Sequence, residues 1–381
     1  MSYATAGAGH RRAAEAIAQA AAAAFPQTRV ECRDVLAFES PLLAGLYPKT
    51  YYFLVRHLAV LWGFCFELLD ARGVYAVIQP LRRTWNLILG QPFVRWLKQE
   101  SFDVVVATHF LPADLFGAGK RAGWLKGRVV VVVTDLHPHR FWLAPEADLF
   151  VVGTPDVAVE CHQRGIPPQR VRVIGIPIAK EFHLPVDRSE VLRRFHLDPQ
   201  RRTVLVTSGG MTIGPFEAVV EALLRLEEAV PGRIQLLVVC GENRAATHRL
   251  ERRAREGKMP ARVFGFVDNM PELMGASDLV VAKAGGLTVM ETLSEGLPLI
   301  LYHAIPGQER FNAQYVEQSG AALWAHSPAD VAAVVRRYLE DPAAFVGMRD
   351  AARRLSRPDA AETIASQVVG PLATQSTVHR P

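Results

Sequence analysis

Two clusters of polar residues in the second half of the chain have the types and spacing of a ligand site. The apolar run at residues 279–282 predicts a buried parallel strand, and Gly285 and Gly286 predict a tight turn into a helix that begins near Thr288. The unpaired N–H groups at such a helix start suit a diphosphate. Glu291 lies one turn further on, where its carboxylate is placed to accept hydrogen bonds from two adjacent ribose hydroxyls. The pattern indicates a nucleotide-sugar site.

A second polar cluster follows the next predicted strand, at residues 299–302. Gln308, Glu309 and Asn312 come from the loop and helix after that strand, so we expect them at the same edge of the sheet, outside the carboxyl ends of the strands. Their amides and carboxylate suit sugar hydroxyls. An alternative is open for the first cluster, because Thr288 and Glu291 also form a capping box, which needs no ligand. The second cluster has no comparable capping explanation and favours the ligand site.

The order of these motifs resembles a known enzyme family. Between residue 265 and about residue 325 the chain reads Gly-Phe-Val, Ala-Gly-Gly-x-Thr-x-x-Glu, Gly-Leu-Pro, Gly-Gln-Glu and Asn, which resembles the donor half of inverting glycosyltransferases of family 28. The amino-terminal half, at residues 2–15, 133–142 and 175–182, resembles the branch of that family that glycosylates diacylglycerol. This branch comprises the monogalactosyldiacylglycerol synthases and the processive diacylglycerol glucosyltransferases. The resemblance covers nearly the whole chain.

The resemblance implies an α/β architecture with the GT-B fold, in which two Rossmann-like, doubly wound domains face a cleft. It also implies a UDP-sugar donor held by the second domain. In the family the backbone around the positions of Gly265 and Phe266 contacts the uracil ring, so the resemblance implies a donor-binding role for Phe266.

Predicted strands and helices alternate along the chain, as they do in doubly wound sheets. The charged segment that follows Pro177 and Pro185 indicates a domain boundary. We therefore expect an acceptor and membrane-associating domain at residues 1–185, a UDP-sugar donor-binding domain at 186–370 and a disordered tail at 371–381. The strands are predicted at residues 29–35, 103–108, 129–135, 148–153 and 171–175 of the first domain, and at 203–208, 234–240, 262–267, 279–283, 299–302 and 321–324 of the second.

The first strand of such a fold has little room in this sequence. A glycine-rich loop should follow a central strand, yet only Met1 to Ala4 precede the loop around Gly7 and Gly9. Either the strand is absent or the true start lies upstream. We favour an upstream start, because a gap in a parallel sheet would leave a row of backbone groups unpaired.

His10 is the strongest candidate for the catalytic base. It heads the helix after the first glycine loop, where the helix dipole lowers its proton affinity, and inverting sugar transfer needs a base for the acceptor hydroxyl. The alternative is that His10 caps the helix or anchors an acceptor headgroup. Asp135 and His139 end another predicted strand, where a carboxylate could orient a histidine, although Asp135 could equally cap the following turn.

These assignments make His10 and Asp135 catalytic candidates, and they place Gly7, Gly9, His139 and Trp142 on the acceptor side. Gly209 and Gly210 lie in a second glycine loop that opens the second domain. A phosphate-binding role for that loop is plausible, although such glycines often serve only close packing.

Residues 42–98 are the least sheet-like part of the chain and combine apolar, aromatic and basic side chains. Basic residues beside Trp and Tyr suit an anionic lipid surface, whereas the alternative is a set of ordinary amphipathic helices. No run approaches the roughly 18 apolar residues of a membrane span, so we expect a cytoplasmic protein peripherally associated with the cytoplasmic membrane. The net charge of +5 agrees with a nucleotide or an acidic membrane.

Other partner classes have no motif in the sequence. The four cysteines are far apart, with no Cys-x-x-Cys pair, and no nucleic-acid motif is present, so we expect no metal, no cofactor and no nucleic-acid partner.

The predicted function is inverting transfer of a hexose from a UDP-sugar to diacylglycerol. The alternatives are the same chemistry on another lipid acceptor, such as a polyprenyl-linked one, and a non-hydrolysing UDP-sugar epimerase. The identity of the hexose, the number of sugars added and the oligomeric state stay open.

Overall fold

The computed structural model describes residues 1–5, 7–210 and 212–378 of the chain. Its backbone forms two compact units. Unit 1 comprises Met1–Lys180, Pro306–Gln308 and Arg357–Pro381, and unit 2 comprises Glu181–Ile305 and Glu309–Ser356. Among the described residues, no single helix has the length and apolar composition needed to cross a membrane. The segments Ala44–His57 and Ala59–Asp70 reach that length and composition only together, and they are bent by 111°.

The strands and helices broadly alternate as the sequence predicts, but four helices follow one another between the second and third strands, two between the seventh and eighth, and only a 3₁₀ turn lies between the fourth and fifth. The strands are β1 (Ser2–Tyr3), β2 (Arg33–Asp34), β3 (Val104–Ala107), β4 (Arg128–Val132), β5 (Leu149–Val152), β6 (Val171–Val173), β7 (Arg202–Thr207), β8 (Ile234–Val239), β9 (Ala261–Phe264), β10 (Leu279–Lys283), β11 (Leu299–His303) and β12 (Ala322–Trp324). The helices are α1 (Ala8–Ala24), α2 (Pro41–His57), α3 (Ala59–Asp70), α4 (Arg72–Leu89), α5 (Gln91–Gln99), α6 (Phe110–Arg121), α7 (Pro155–Gln163), α8 (Arg188–Arg194), α9 (Phe216–Leu224), α10 (Leu226–Ala229), α11 (Arg244–Glu256), α12 (Met270–Gly275), α13 (Gly286–Ser294), α14 (Gln308–Gln318), α15 (Pro328–Glu340), α16 (Val346–Leu355), α17 (Ala360–Ile364) and α18 (Gly370–Val378).

Each unit contains a parallel six-stranded sheet. The order is β2-β1-β3-β4-β5-β6 in unit 1 and β12-β11-β10-β7-β8-β9 in unit 2. Strands such as β4 and β8 are almost continuous runs of buried apolar residues, because helices cover both faces of a parallel sheet. In both sheets the strand order reverses beside the first strand of the unit, between β1 and β3 and between β7 and β10. Crevices for ligands open at the carboxyl ends of the strands at such a reversal.

The first strand is present, so the alternative that it is absent is wrong. β1 has two residues, and Ser2 lies opposite both Arg33 of β2 and Ala107 of β3. Backbone bonds from Arg33 to Met1 and from Thr108 to Ser2 extend the pairing by one residue on each side. The upstream start stays a prediction.

The carboxyl-terminal segment differs from the prediction. The expected disordered tail is helical as far as Val378, and residues 379–381 lie outside the described part. Residues 357–370, which the sequence analysis assigned to the second domain, belong to unit 1. The physical reason is apolar burial, because Ile364 and Val368 join the cluster that Ile17 of α1 and Val130 of β4 form.

Candidate active site

His10 lies at the strand-order reversal of the unit 1 sheet. Gly7 precedes α1 with φ of 150°, a backbone conformation that L side chains rarely adopt, so a glycine is required at this turn. Gly9 is the second residue of α1. The turn brings His10 beside Thr108, which follows β3, and beside Thr134, which follows β4.

The hydrogen bonds of His10 fix its tautomer. The Nδ1 atom lies 2.9 Å from the carbonyl oxygen of Thr108 and 2.9 Å from Oγ1 of Thr134. A carbonyl oxygen only accepts, so Nδ1 carries the proton and donates it to Thr108. The Thr108 hydroxyl in turn donates to the His10 carbonyl at 2.8 Å. In the neutral ring this arrangement leaves Nε2 with a lone pair, as a general base needs.

The surroundings of His10 keep it neutral near pH 7. Burial lowers the pKa of His10 below its ordinary value, and it outweighs the Asp135 carboxylate and the Thr108 hydrogen bond, which both act to raise that pKa. Asp135 is half-buried and follows β4. Its charge favours the imidazolium that forms when His10 accepts a proton.

Aromatic rings enclose one side of His10. His109 packs edge-on at 4.7 Å between ring centroids, and Trp142 lies at 5.8 Å. Trp142 is buried in the core of unit 1. The sequence analysis missed Thr108, His109 and Thr134, although Thr108 and Thr134 lie at the carboxyl ends of predicted strands and His109 directly follows one.

The prediction that Asp135 could orient His139 finds no support in the contacts of His139. The Nδ1 atom of His139 accepts from the Phe141 N–H at 3.2 Å, and Nε2 lies 3.0 Å from the Phe66 carbonyl. Both ring nitrogens therefore contact backbone groups, one two residues along the chain and the other on α3. Burial lowers the pKa of His139 to about 4, despite the opposing charge of Asp70. These contacts give His139 a structural position, and its acceptor role stays a prediction.

A charged network that the sequence did not reveal ties α3 to α7. Asp70, the last residue of α3, accepts from Arg164 at 2.6 Å and lies 3.3 Å from His137, whose other nitrogen lies 2.9 Å from Glu160. Burial acts to lower the pKa of His137, but the hydrogen bonds to Asp70 and Glu160 outweigh it, so the pKa is raised. A protonated His137 bridges the two carboxylates.

In unit 2 the glycine loops line the carboxyl edge of the sheet. Gly209 and Gly214 have φ of 71° and 78°, and a Cβ at Gly214 would lie 2.5 Å from the His303 ring. Gly241 has φ of 61° and approaches the Gly209 carbonyl, so a Cβ there would lie 2.5 Å from that oxygen. Gly210 accepts a backbone bond from Glu242 at 3.1 Å. These close approaches show that the glycines allow loop-to-loop packing beside β7.

The start of α13 excludes the capping-box alternative. The helix begins at Gly286, and its N-cap is Gly285, which has no side chain to cap it. Thr288 is therefore already the third residue of the helix, and its carbonyl accepts from Thr292 at 2.8 Å. The predicted tight turn is present, because only two residues separate β10 from α13 and the Gly285 N–H donates to the Lys283 carbonyl at 2.9 Å. Gly285 itself has φ of −68°, which any residue adopts. Glu291 is buried on this helix, at the strand-order reversal of unit 2.

The polar cluster after β11 contacts the turn before α13. Glu309 forms an ion pair with Lys283, the last residue of β10, and its second oxygen accepts from the Ile305 N–H at 3.0 Å. Asn312, fully buried, donates to the Ala284 carbonyl at 3.2 Å. Glu309 and Asn312 therefore shape this turn, and direct contact with a sugar stays a prediction. Lys283 was missed, although it directly follows the predicted apolar strand.

Two further predicted residues lie apart from this turn. Gln308 belongs to unit 1, where its amide lies 3.5 Å from the Tyr51 hydroxyl. Phe266 follows β9 and is exposed, and its donor-binding role stays a prediction. Its neighbour Gly265 lies against the Gly241 carbonyl, where a Cβ would lie at 3.7 Å.

Comparison with solved structures identifies the fold class. The S. aureus MnaA–UDP complex matches 100% of this chain and 97% of its own, with a TM-score of 0.64 and 14% identity. Acinetobacter baumannii MurG matches 74% of this chain and 78% of its own, with a TM-score of 0.54 and 16% identity. The two parallel sheets and these neighbours define a GT-B fold built from two Rossmann-like domains.

Sequence comparison then gives the family. Residues 10–178 match the family model for monogalactosyldiacylglycerol (MGDG) synthase, and residues 203–364 match the glycosyltransferase family 28 C-terminal domain. A probable chloroplastic monogalactosyldiacylglycerol synthase of Glycine max is 32% identical over 93% of this chain and 67% of its own length. A processive diacylglycerol beta-glucosyltransferase of Bacillus mycoides is 28% identical over 78% of this chain and 75% of its own length. The chain belongs to the monogalactosyldiacylglycerol synthase family and is a glycosyltransferase of family 28, which confirms the resemblance.

Proposed function

We propose that this chain transfers a hexose from a UDP-sugar to diacylglycerol, with inversion at the anomeric carbon. The observation that carries the proposal is the tautomer of His10, whose Nδ1 proton is committed to Thr108 so that Nε2 is free to act as a base. The relatives of this chain include a monogalactosyldiacylglycerol synthase and a processive diacylglycerol glucosyltransferase, and they support the acceptor.

In the proposed reaction, His10 Nε2 removes the proton of the acceptor hydroxyl as its oxygen attacks the anomeric carbon. The bond between that carbon and the UDP oxygen breaks, and UDP leaves with the bonding electrons. The Asp135 carboxylate stabilises the imidazolium, since its charge favours the protonated ring. The stored proton is then released to solvent.

The start of α13 is suited to the leaving diphosphate. Its first N–H groups have no side-chain cap, and the positive end of the helix dipole favours an anion there. Lys283 ends the adjacent strand and adds a positive charge, which Glu309 holds in place. Glu291, on the same helix, is the proposed ribose ligand.

We further propose that the chain works as a peripheral protein on the cytoplasmic membrane, with α4 against the lipid. Two polar side chains in the second half of this helix point inward, where Arg82 and Asn86 contact Asp114 at 2.6 and 2.7 Å. Its large apolar side chains, Val77, Leu81, Trp85 and Ile88, are between 61% and 77% exposed. This is the reverse of a water-facing helix, and it favours a lipid surface.

Replacement of His10 tests the catalytic proposal. We expect His10→Ala to lower turnover by about 10² to 10⁴ while UDP affinity stays unchanged, because the donor groups lie in unit 2. Steady-state UDP release on diacylglycerol vesicles measures turnover, and titration with UDP measures the affinity. His248→Ala, an exposed histidine on α11, is the matched control.

Near-normal turnover of His10→Ala would remove His10 as the base. Conversion of the UDP-sugar in the absence of diacylglycerol would instead favour the epimerase alternative.

A further inference from the structure

A cavity of about 450 Å³ opens in unit 1 at the edge of the sheet opposite to His10. It is lined by Arg128 at the start of β4, by the loop that leads into β5 and by Arg170 and Arg172 around the start of β6. His10 contacts residues at the carboxyl ends of β3 and β4. A strand rises about 3.3 Å per residue, so a four-residue strand separates the two edges by roughly 13 Å.

Two arginines of this cavity have no carboxylate partner among the described residues. Arg170 donates to the Pro145 carbonyl at 3.1 Å, and Arg172 donates to the Gln367 carbonyl at 3.2 Å. Both side chains are exposed. Each guanidinium has five N–H donors, so one such bond leaves most of them available to an anion.

The carboxylates that line the cavity are already neutralised by other residues. Asp148 pairs with Lys120 and Arg128, each at 3.0 Å. Glu146 pairs with Arg121 and lies 3.5 Å from Arg83. The charge of Arg170 and Arg172 therefore stays uncompensated, and the cavity favours a negatively charged group.

The opposite wall is apolar. It consists of Pro371 and Leu372 near the start of α18, together with Val368 of the helical segment Ala365–Val369, which is buried. A guanidinium pair facing such a wall is complementary to an amphiphilic anion, because forked N–H donors match phosphate oxygens and the wall excludes water from an alkyl group.

We propose that this cavity binds a phosphomonoester that carries a short apolar group. Arg170 and Arg172 hold the phosphate oxygens, and Pro371 and Leu372 contact the alkyl part. A lipid headgroup and a soluble phosphomonoester share this chemistry. The site is separate from the proposed transfer reaction and does not depend on it.

Calorimetric titration with hexyl phosphate and with inorganic phosphate tests the site. We expect hexyl phosphate to bind more tightly, and the double variant Arg170→Gln/Arg172→Gln to weaken its binding by roughly tenfold or more, since charged hydrogen bonds are lost. The control is Arg252→Gln/Arg253→Gln, which removes two exposed charges from α11. Phosphate bound elsewhere, such as at α13, survives in both variants and cancels in the comparison.

The proposal is overturned if the double variant binds hexyl phosphate as the control does. If the double variant does not fold, Arg172→Gln alone should weaken binding several-fold, and unchanged binding overturns the proposal equally. Flotation with vesicles that carry phosphomonoester headgroups distinguishes a lipid ligand from a soluble one. Flotation that is lost in the double variant indicates a lipid ligand, and unchanged flotation indicates a soluble ligand.

Discussion

A neutral histidine has one protonated and one basic ring nitrogen, and a hydrogen bond from the protonated nitrogen fixes which of the two is the base. In His10 the Nδ1 atom meets a carbonyl 98 residues away in the chain, and this contact determines which nitrogen is available. The sequence predicts the position of His10 after a glycine turn. It does not predict Thr108 or Thr134 as its partners, because those contacts arise only when β1, β3 and β4 pair.

The pH dependence of turnover follows from the neutral state of His10. Burial lowers the pKa of His10 from its ordinary value of about 6.5, so the base is charged and inactive only below that pH. We expect kcat/KM to fall as the pH decreases through the lowered pKa and to be level between about pH 7 and 8. An acidic limb centred above pH 7 would contradict this assignment.

Glu291→Gln separates a ligand role from a structural role. A buried carboxylate that accepts from ribose hydroxyls should contribute about 1.5 to 3 kcal/mol to UDP affinity, and the isosteric amide should lose much of it. Titration calorimetry with UDP, beside a melting curve, measures both effects. Glu256→Gln, exposed at the end of α11, is the control. Unchanged UDP affinity with a lower melting temperature would mean that Glu291 only stabilises α13.

At the scale of the element, charges fix the carboxyl end of α3. Its last residue, Asp70, contacts His137, Arg164 and the Arg140 backbone, whereas Leu61, Phe64 and Leu68 on the same helix are exposed. Loss of this network should release the carboxyl end of α3 from the loop that follows β4. It should leave the sheet intact.

We expect stability to depend on the protonation of His137. Its pKa is raised in the folded chain, so its contribution is fully present below about pH 6.5 and is lost as the pH rises through the raised value. Urea unfolding of the wild type and of His137→Gln at several pH values measures this. The difference in unfolding free energy should shrink as the pH rises above 6.5, and a pH-independent difference would refute the prediction.

Strands were predictable from the sequence where a continuous apolar run marks them. The apolar runs of β7, β8, β10 and β11 place those strands within one residue of the prediction at most ends. The two-residue strands β1 and β2 were not predictable as such, since their length depends on which partners lie alongside. The start of α13 was predicted two residues late, because both glycines were assigned to the turn whereas Gly286 already belongs to the helix.

At the scale of the molecule, the sequence predicted two Rossmann-like domains and the family. Its boundary at residue 185 lies five residues after the division at Lys180. The sequence did not predict that residues 357–378 belong to unit 1. No local pattern reports which sheet a helix covers, and Ile364 would fit either apolar core equally well.

Membrane association should depend on the exposed face of α4. We expect Leu81→Glu to reduce flotation with anionic diacylglycerol vesicles about tenfold or more, since a Leu contributes about 1.5 to 3 kcal/mol when fully buried and a carboxylate is repelled. The control is Val346→Glu on α16, which also replaces an exposed apolar residue. Equal flotation of the two variants would remove α4 as the lipid-binding surface.

The carboxyl-terminal helices of unit 1, from α17 onward, also affect how the chain folds during synthesis. Ile17, Val106 and Val130 are covered by Ile364 and Val368, which leave the ribosome after all of unit 2. Domains generally fold as units during synthesis, so unit 2 can complete while this apolar patch still faces solvent. The nascent amino-terminal unit is therefore the species that chaperones should engage longest. A chain terminated at Ser356 should aggregate, whereas one terminated after Val378 should not.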